Sequence, residues 1–223
     1  MSNCSRSMAI ALCAAAAGTL AAQEEHATRG GRRALMEPPR EIALARSAAP
    51  RDVSGDATIY VLTDTGYAVA VRGSNGNACY VNRSWPASLE PHCFDAEGAA
   101  TVMRVELQRM RGVQRGTPAE EIDRGLRDAI AGGAIRLPRR PAMSYRMSAG
   151  QRLVDADGKP VGKWEPHLML YIPYATAREF GLTGAPSTAA ALVVAPGTPM
   201  ASVMIVVRQF VPVEGDLDAH GSP

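Results

Sequence analysis

The chain lacks the signatures that identify enzymes cheaply. There is no Gly-x-Ser-x-Gly elbow, no His-Glu-x-x-His, no Ser-x-x-Lys, no phosphate-binding glycine loop and no Cys-x-x-Cys. These absences exclude the cheap identifications and not an enzyme assembled from scattered residues. It also lacks any apolar run near the roughly 20 residues a membrane helix needs. Strong charge of either sign is missing: 24 basic residues face 22 acidic ones. Binding nucleic acid or a membrane surface through bulk charge is therefore not expected. Lysine is scarce, with only Lys159 and Lys163 among 22 arginines. With the abundant Ala, Gly and Pro, that bias points to a GC-rich bacterial genome. A hyperthermophile would more often enrich Lys and Glu.

What is present begins at the N-terminus. Arg6, the apolar run Met8–Ala17 and the small residues Thr19-Leu20-Ala21-Ala22 precede the polar Gln23-Glu24-Glu25. That order is the charge, core and cleavage region of a signal peptide over residues 1–22, which implies export to the periplasm or beyond. Cys13 follows Leu12 where a lipid anchor wants a small residue, so lipidation is not expected. Cys4 and Cys13 leave with the signal. Cys79 and Cys93 remain, and in an oxidising compartment two cysteines most simply form one disulfide.

Residues 23–55 are rich in Arg, Ala and Pro and read as a flexible lead-in, with a short helix around Arg40–Ala48. The cluster Arg29, Arg32 and Arg33 could touch anions, but a solvated tail explains it as well. Order begins near Thr58. Thr58–Leu62 and Tyr67–Val71 flank the turn Thr63–Gly66, and Ala78–Arg83 follows the loop 73–77, which together predict a three-stranded meander. A helix over 99–114 presents Met103, Leu107, Met110 and Val113 on one face. A second starts at a capping box, Thr117-Pro118-Ala119-Glu120, and ends at Gly132-Gly133. Strands follow at Ala142–Ser148, His167–Ile172, Ala190–Val194 and Ser202–Val207. An exposed hairpin lies around Asp155–Gly158, a helical turn over Thr176–Phe180, and a flexible tail over 214–223. The whole predicts one α+β domain over 56–213, with a mainly antiparallel sheet and an inserted helical pair.

Chemistry-bearing residues are sparse. Of four histidines, His26 and His220 fall in the tails. Strand alternation puts Glu165, His167, Met169 and Tyr171 on one face, so His167 could act as a general base oriented by Glu165. A structural histidine held at the sheet end is the competing reading. The segment 91–98 packs His92, Cys93, Asp95 and Glu97 together, a possible metal set but without a second ligand cluster. Its alternative is a disulfide-anchored loop entering a helix, with Asp95 or Glu97 near the N-terminus. A cysteine nucleophile with His92 or His167 conflicts with the expected disulfide. Asn82-Arg83-Ser84 fits a glycosylation acceptor, which a bacterial source leaves unused. No metal and no cofactor is expected.

The stretches GSNGNACYVNRSW (73–85), CFDAEG (93–98) and PHLMLYIPY (166–174) resemble a group of bacterial exported proteins with no assigned reaction. The resemblance covers roughly residues 58–210 and implies a shared exported domain, without a ligand or site residue. The function expected is non-catalytic binding of a small molecule, a wall component or a protein. The alternative is an exported hydrolase using His167 with Glu165 or a residue of 92–97. The export reading has a direct check. Intact-mass analysis of the exported protein should place its N-terminus near Ala22 or Gln23, and an uncleaved cytoplasmic product would rule it out.

Overall fold

The computed structural model describes residues 31–84, 86–155, 157–182 and 191–215. The signal region, Arg29, His26, His220 and the end of the tail lie outside them. The architecture is α+β and mainly antiparallel, as expected. Ten strands are described: β1 (Thr58–Thr63), β2 (Gly66–Val71), β3 (Ala78–Asn82), β4 (Glu90–Phe94), β5 (Ala142–Arg146), β6 (Leu153–Val154), β7 (Pro160–Gly162), β8 (His167–Tyr171), β9 (Ala191–Val194) and β10 (Ser202–Val206). Eight form one sheet in the order β2-β1-β3-β4-β5-β8-β10-β9, and β6 with β7 makes the separate small hairpin.

The first hairpin forms as its sequence dictates. Thr63 Oγ1 donates to the Gly66 carbonyl at 2.6 Å across the turn. Gly66 has φ +118°, and a Cβ there would stand 3.2 Å from the Arg111 backbone, so the position needs glycine. The meander expectation is corrected at β3. It does not join the outer edge of β2 but pairs with β1, parallel, through Thr58↔Ala78 and Ile59↔Cys79. The cause is the loop between them. Ser74 N–H donates to the Asp56 carbonyl at 2.9 Å, and the Asn75 and Asn77 side-chain amides both donate to the Val53 carbonyl at 3.0 Å. These bonds carry the chain back across the start of β1. It passes at Gly73, where a Cβ would lie 2.3 Å from the backbone of Ala57.

β4 was expected to be loop. Its residues instead extend a full antiparallel ladder with β3, in which Cys79 stands opposite Cys93, Tyr80 opposite His92 and Asn82 opposite Glu90. The disulfide therefore joins two neighbouring strands, Cys79 to Cys93, and is fully buried.

Side chains of alternate strand residues feed two cores on opposite faces. On one face Ile59, Cys79, Val81 and Cys93 pack with Leu44, Ala45, Ala48 and Ala49. Those alanines and Leu44 come from the stretch expected to be a flexible lead-in, which is corrected here for residues 33–55. The stretch forms α1 (Pro38–Arg46), close to the short helix expected around Arg40–Ala48, and α2 (Arg51–Ser54), with Ala48 and Ala49 in the turn between them. α1 carries Glu41, whose carboxylate meets the Arg83 guanidinium at 2.9 Å with both side chains buried. The arginines expected in a solvated tail are tied down as well. Arg33 donates to the Arg83 and Ser84 carbonyls at 2.8 Å, and Arg32 donates to the Gln114 carbonyl at 2.7 Å.

On the opposite face Tyr80, Phe94, Met169 and Tyr171 pack beneath Val102 and Met103. The helix expected over 99–114 is two: α3 (Ala96–Ala100) and α4 (Val102–Arg115), parted where Thr101 leaves helical geometry at φ −128°, ψ −84°. Met103, Met110 and Val113 are buried, as their spacing predicts. The next helix, α5 (Ala119–Ala131), buries Ile122 and Leu126. It starts one residue later than the capping-box reading requires, so Pro118 is at the cap position and no side-chain cap bond forms.

Because the disulfide closes a loop of about 15 residues, the chain-entropy account makes it worth about 3 kcal/mol. Cys79→Ala and Cys93→Ala should each lower the unfolding free energy by roughly that amount and leave one titratable thiol. Two free thiols in the unreduced, denatured wild type would contradict the bridge.

Candidate functional site

The ladder registers bring four polar side chains into one row across the sheet. Tyr80 on β3 faces His92 on β4, and Arg146 on β5 faces His167 on β8. The β4–β5 pairing Cys93↔Tyr145, continued by one residue, sets His92 beside Arg146. Directly opposed residues on one face are close neighbours. One row further into the core, Phe94, Ser144 and Met169 follow the same alignment, so this is the polar margin of an apolar face. Together Glu90, His92, Arg146, Ser148, Gln151, Trp164 and His167 line a cavity of about 20 Å³. That is room for one or two waters.

His167 is buried, and its Nδ1 lies 2.7 Å from the backbone carbonyl oxygen of Glu165. An acceptor carbonyl at that distance puts the proton on Nδ1. Glu165 itself precedes β8 and its side chain is exposed. The sequence reading of a histidine oriented by the Glu165 carboxylate is therefore corrected: the backbone of Glu165 orients the ring. The Trp164 indole packs edge-on against the His167 ring, with centroids 6.2 Å apart. Trp164 is 47% exposed at this margin. Its backbone is held by Gln151, whose Oε1 accepts from Trp164 N–H at 3.1 Å and whose Nε2 donates to the Trp164 carbonyl at 2.9 Å.

His92 is also buried. Its Nδ1 is 3.3 Å from the Tyr80 hydroxyl, and the two rings meet edge-on. The rest of the 91–98 segment disperses. Cys93 turns to the opposite sheet face and into the disulfide, which removes it as a nucleophile for either histidine. Asp95 caps α3, accepting from Gly98 N–H at 2.7 Å, as the loop-entering-a-helix reading expects. Glu97 binds the Arg139 amide and the Arg140 side chain. Among the described residues, no three His, Cys, Asp or Glu side chains gather closely enough to hold a metal ion.

Arg146 was not singled out by sequence, yet it dominates the electrostatics. Its Nη2 donates to the Tyr171 hydroxyl at 3.1 Å, while its Nε is buried without a hydrogen-bond partner among the described residues. Burial opposes its charge, but the Tyr171 and Tyr80 phenols and the Glu90 carboxyl outweigh that, and the guanidinium is held above its usual range. Burial, and then Arg146, push His167 down to about 4 and His92 well below its ordinary value. Both rings are therefore neutral at pH 7. Burial raises the Glu90 carboxyl, although hydrogen bonds from Ser84 and Asn82 and the charge of Arg146 pull the other way. The sequence did carry one usable signal for Arg146: an arginine in step with Ala142 and Ser144, which the alternation places on the inner face.

Comparison of the chain with protein-family models, with curated proteins and with solved structures returns no match.

The depressed His167 value has a defined consequence for stability. An unfolded histidine takes up its proton near pH 6.5, whereas the folded one waits until about 4. Between those values the unfolded state binds more protons, so folding loses up to about 3 kcal/mol as pH falls from 6.5 to 4. The raised Glu41 and Glu90 values act in the opposite sense above the ordinary carboxyl range, so the wild-type curve alone is a composite. His167→Asn keeps a donor for the Glu165 carbonyl and cannot titrate. The stability difference between wild type and His167→Asn should move against the wild type across that window, measured by denaturant unfolding at several pH values. A difference that is flat with pH would rule out a buried neutral ring.

Proposed function

We propose that this chain is an exported bacterial domain, related to the group it resembles, that binds a ligand at the β4–β5–β8 cavity without transforming it. The observation carrying this reading is the cavity margin itself: a half-buried arginine, whose buried Nε has no hydrogen-bond partner among the described residues, between two neutral, anchored histidines. Such an arrangement offers donors to a ligand. It does not offer a charge relay. His167 Nδ1 is committed to a carbonyl, and the Glu165 carboxylate is in solvent. The serine hydroxyl on the lining, Ser148 Oγ, lies 2.6 Å from Ser47 Oγ and accepts from Gly150 N–H at 3.1 Å. A hydrolase would need a nucleophile or water set against a base. Support for export comes from the signal pattern of residues 1–22 together with a buried disulfide, a bond that oxidising compartments favour.

The deciding experiment is a screen for esterase, amidase and glycosidase activity on wild type and His167→Ala, with folding followed by circular dichroism. The binding reading expects no activity that depends on His167. It also expects the variant to lose about 1–3 kcal/mol of stability by removing a buried ring together with the donor it gives the part-buried Glu165 carbonyl. A wild-type hydrolase activity abolished in a folded His167→Ala protein would establish the enzyme instead.

A further inference from the structure

The ligand class follows from what Arg146 lacks. Resting on the binding reading above, we propose that the cavity receives a carboxylate, held by the Arg146 guanidinium with the body of the ligand against Trp164.

The charges on the lining point to an anion. Arg146 is the cation of the cavity, and its one hydrogen bond among the described residues goes to the Tyr171 hydroxyl. Glu90, the carboxyl on the same lining, is turned to the Asn82 amide at 3.3 Å, and none of the ion pairs among the described residues joins it to Arg146. A buried Nε–H without an acceptor is costly, and a carboxylate is the group that satisfies a guanidinium edge most fully. The flanking histidines are neutral and add no charge of their own, so Arg146 sets the sign of the lining and repels an ammonium ligand. Cavity size sets the form of the anion. About 20 Å³ admits a carboxyl group and not a whole metabolite. The remainder must stay at the mouth, where Trp164 presents a half-exposed ring on a backbone clamped at both its N–H and its carbonyl by Gln151. A rigid indole beside an anion subsite favours carboxylates attached to an apolar or planar body.

The same carboxylate could belong to a small free acid or to the end of a peptide, and the test separates them. The probes are acetate, benzoate, and an N-acetylated dipeptide ending in a free carboxylate, with its C-terminal amide as the control. Each is titrated into the full-length exported protein while the side-chain N–H resonances of arginine and tryptophan are followed by NMR. The Arg146 Nε–H signal, assigned with Arg146→Lys, should shift saturably, with a dissociation constant of about 1 mM or tighter for benzoate or for the peptide acid. Whichever of the two binds tighter identifies the source, and the amide should not bind. Arg146→Gln should weaken binding at least tenfold, and Trp164→Ala should erase the preference for benzoate over acetate.

Should Arg146→Gln fail to fold, the wild-type titration decides alone. Absence of a saturable Arg146 shift for every carboxylate overturns the proposal, as does unchanged affinity in a folded Arg146→Gln protein. If carboxylates fail while another compound moves the Trp164 and His167 signals, this inference falls and the binding-domain reading survives. A His167-dependent hydrolysis would remove that reading by itself.

Discussion

The pairing of β3 with β4 governs where every group of the candidate site stands. Strand side chains alternate between faces, so a slip of one residue would send His92 to the α1 side and bring Cys93 into the row with Arg146. The register that prevents this is held by the disulfide, because Cys79 and Cys93 are directly opposed. With those two fixed on the face of α1, Tyr80, His92 and Phe94 are committed to the other. From there the β5 and β8 ladders extend the row to Arg146 and His167. The same covalent bond thus serves two cores: it is part of one and aligns the other.

The two faces solve different physical problems. The α1 face is sealed by small residues, which let the helix approach closely, and its buried charges are paired as Glu41 with Arg83. Among the described residues Glu41 Oε2 and Arg83 Nε nevertheless remain without hydrogen bonds, so this pair does not satisfy itself completely. Breaking it would leave an uncompensated buried charge, which costs more than the pair contributes. The opposite face is sealed by an aromatic group in which Tyr80 stacks on Phe94 and Phe94 leans on Tyr171. Its margin carries Arg146 without an ionic partner among the described residues. That difference separates a charge paired inside the fold from one whose hydrogen bond among the described residues goes to a phenol.

Local chemistry was legible wherever a segment's own residues decide its conformation. The β1–β2 hairpin, the helical faces of Met103, Met110 and Val113 and of Ile122 and Leu126, and the Asp95 cap are of this kind. The lead-in was misjudged because Leu44, Ala45, Ala48 and Ala49 are small and set among charges. Their fit depends on a sheet formed by residues far along the chain. β4 was misjudged because a segment beginning Glu-Pro-His lacks strand propensity, and the ladder with β3 overrides it. His92 and His167 were singled out, but Glu165 was assigned the wrong atom. Strand alternation places side chains on faces, and it does not say that a backbone carbonyl will be the partner.

By itself the sequence determined the α+β composition, the cysteine pairing, the positions of most strands and helices, and a pattern for export, since each rests on spacing or composition within a short window. The tertiary structure decided the parallel joining of β1 to β3, the packing of α1 on the sheet, and the meeting of Glu90, His92, Arg146, Trp164 and His167. Those residues come from three separate stretches of chain, at 90–92, 146 and 164–167, and converge only through the registers of β4, β5 and β8. A contact of that kind is a property of the whole sheet, and no single segment encodes it.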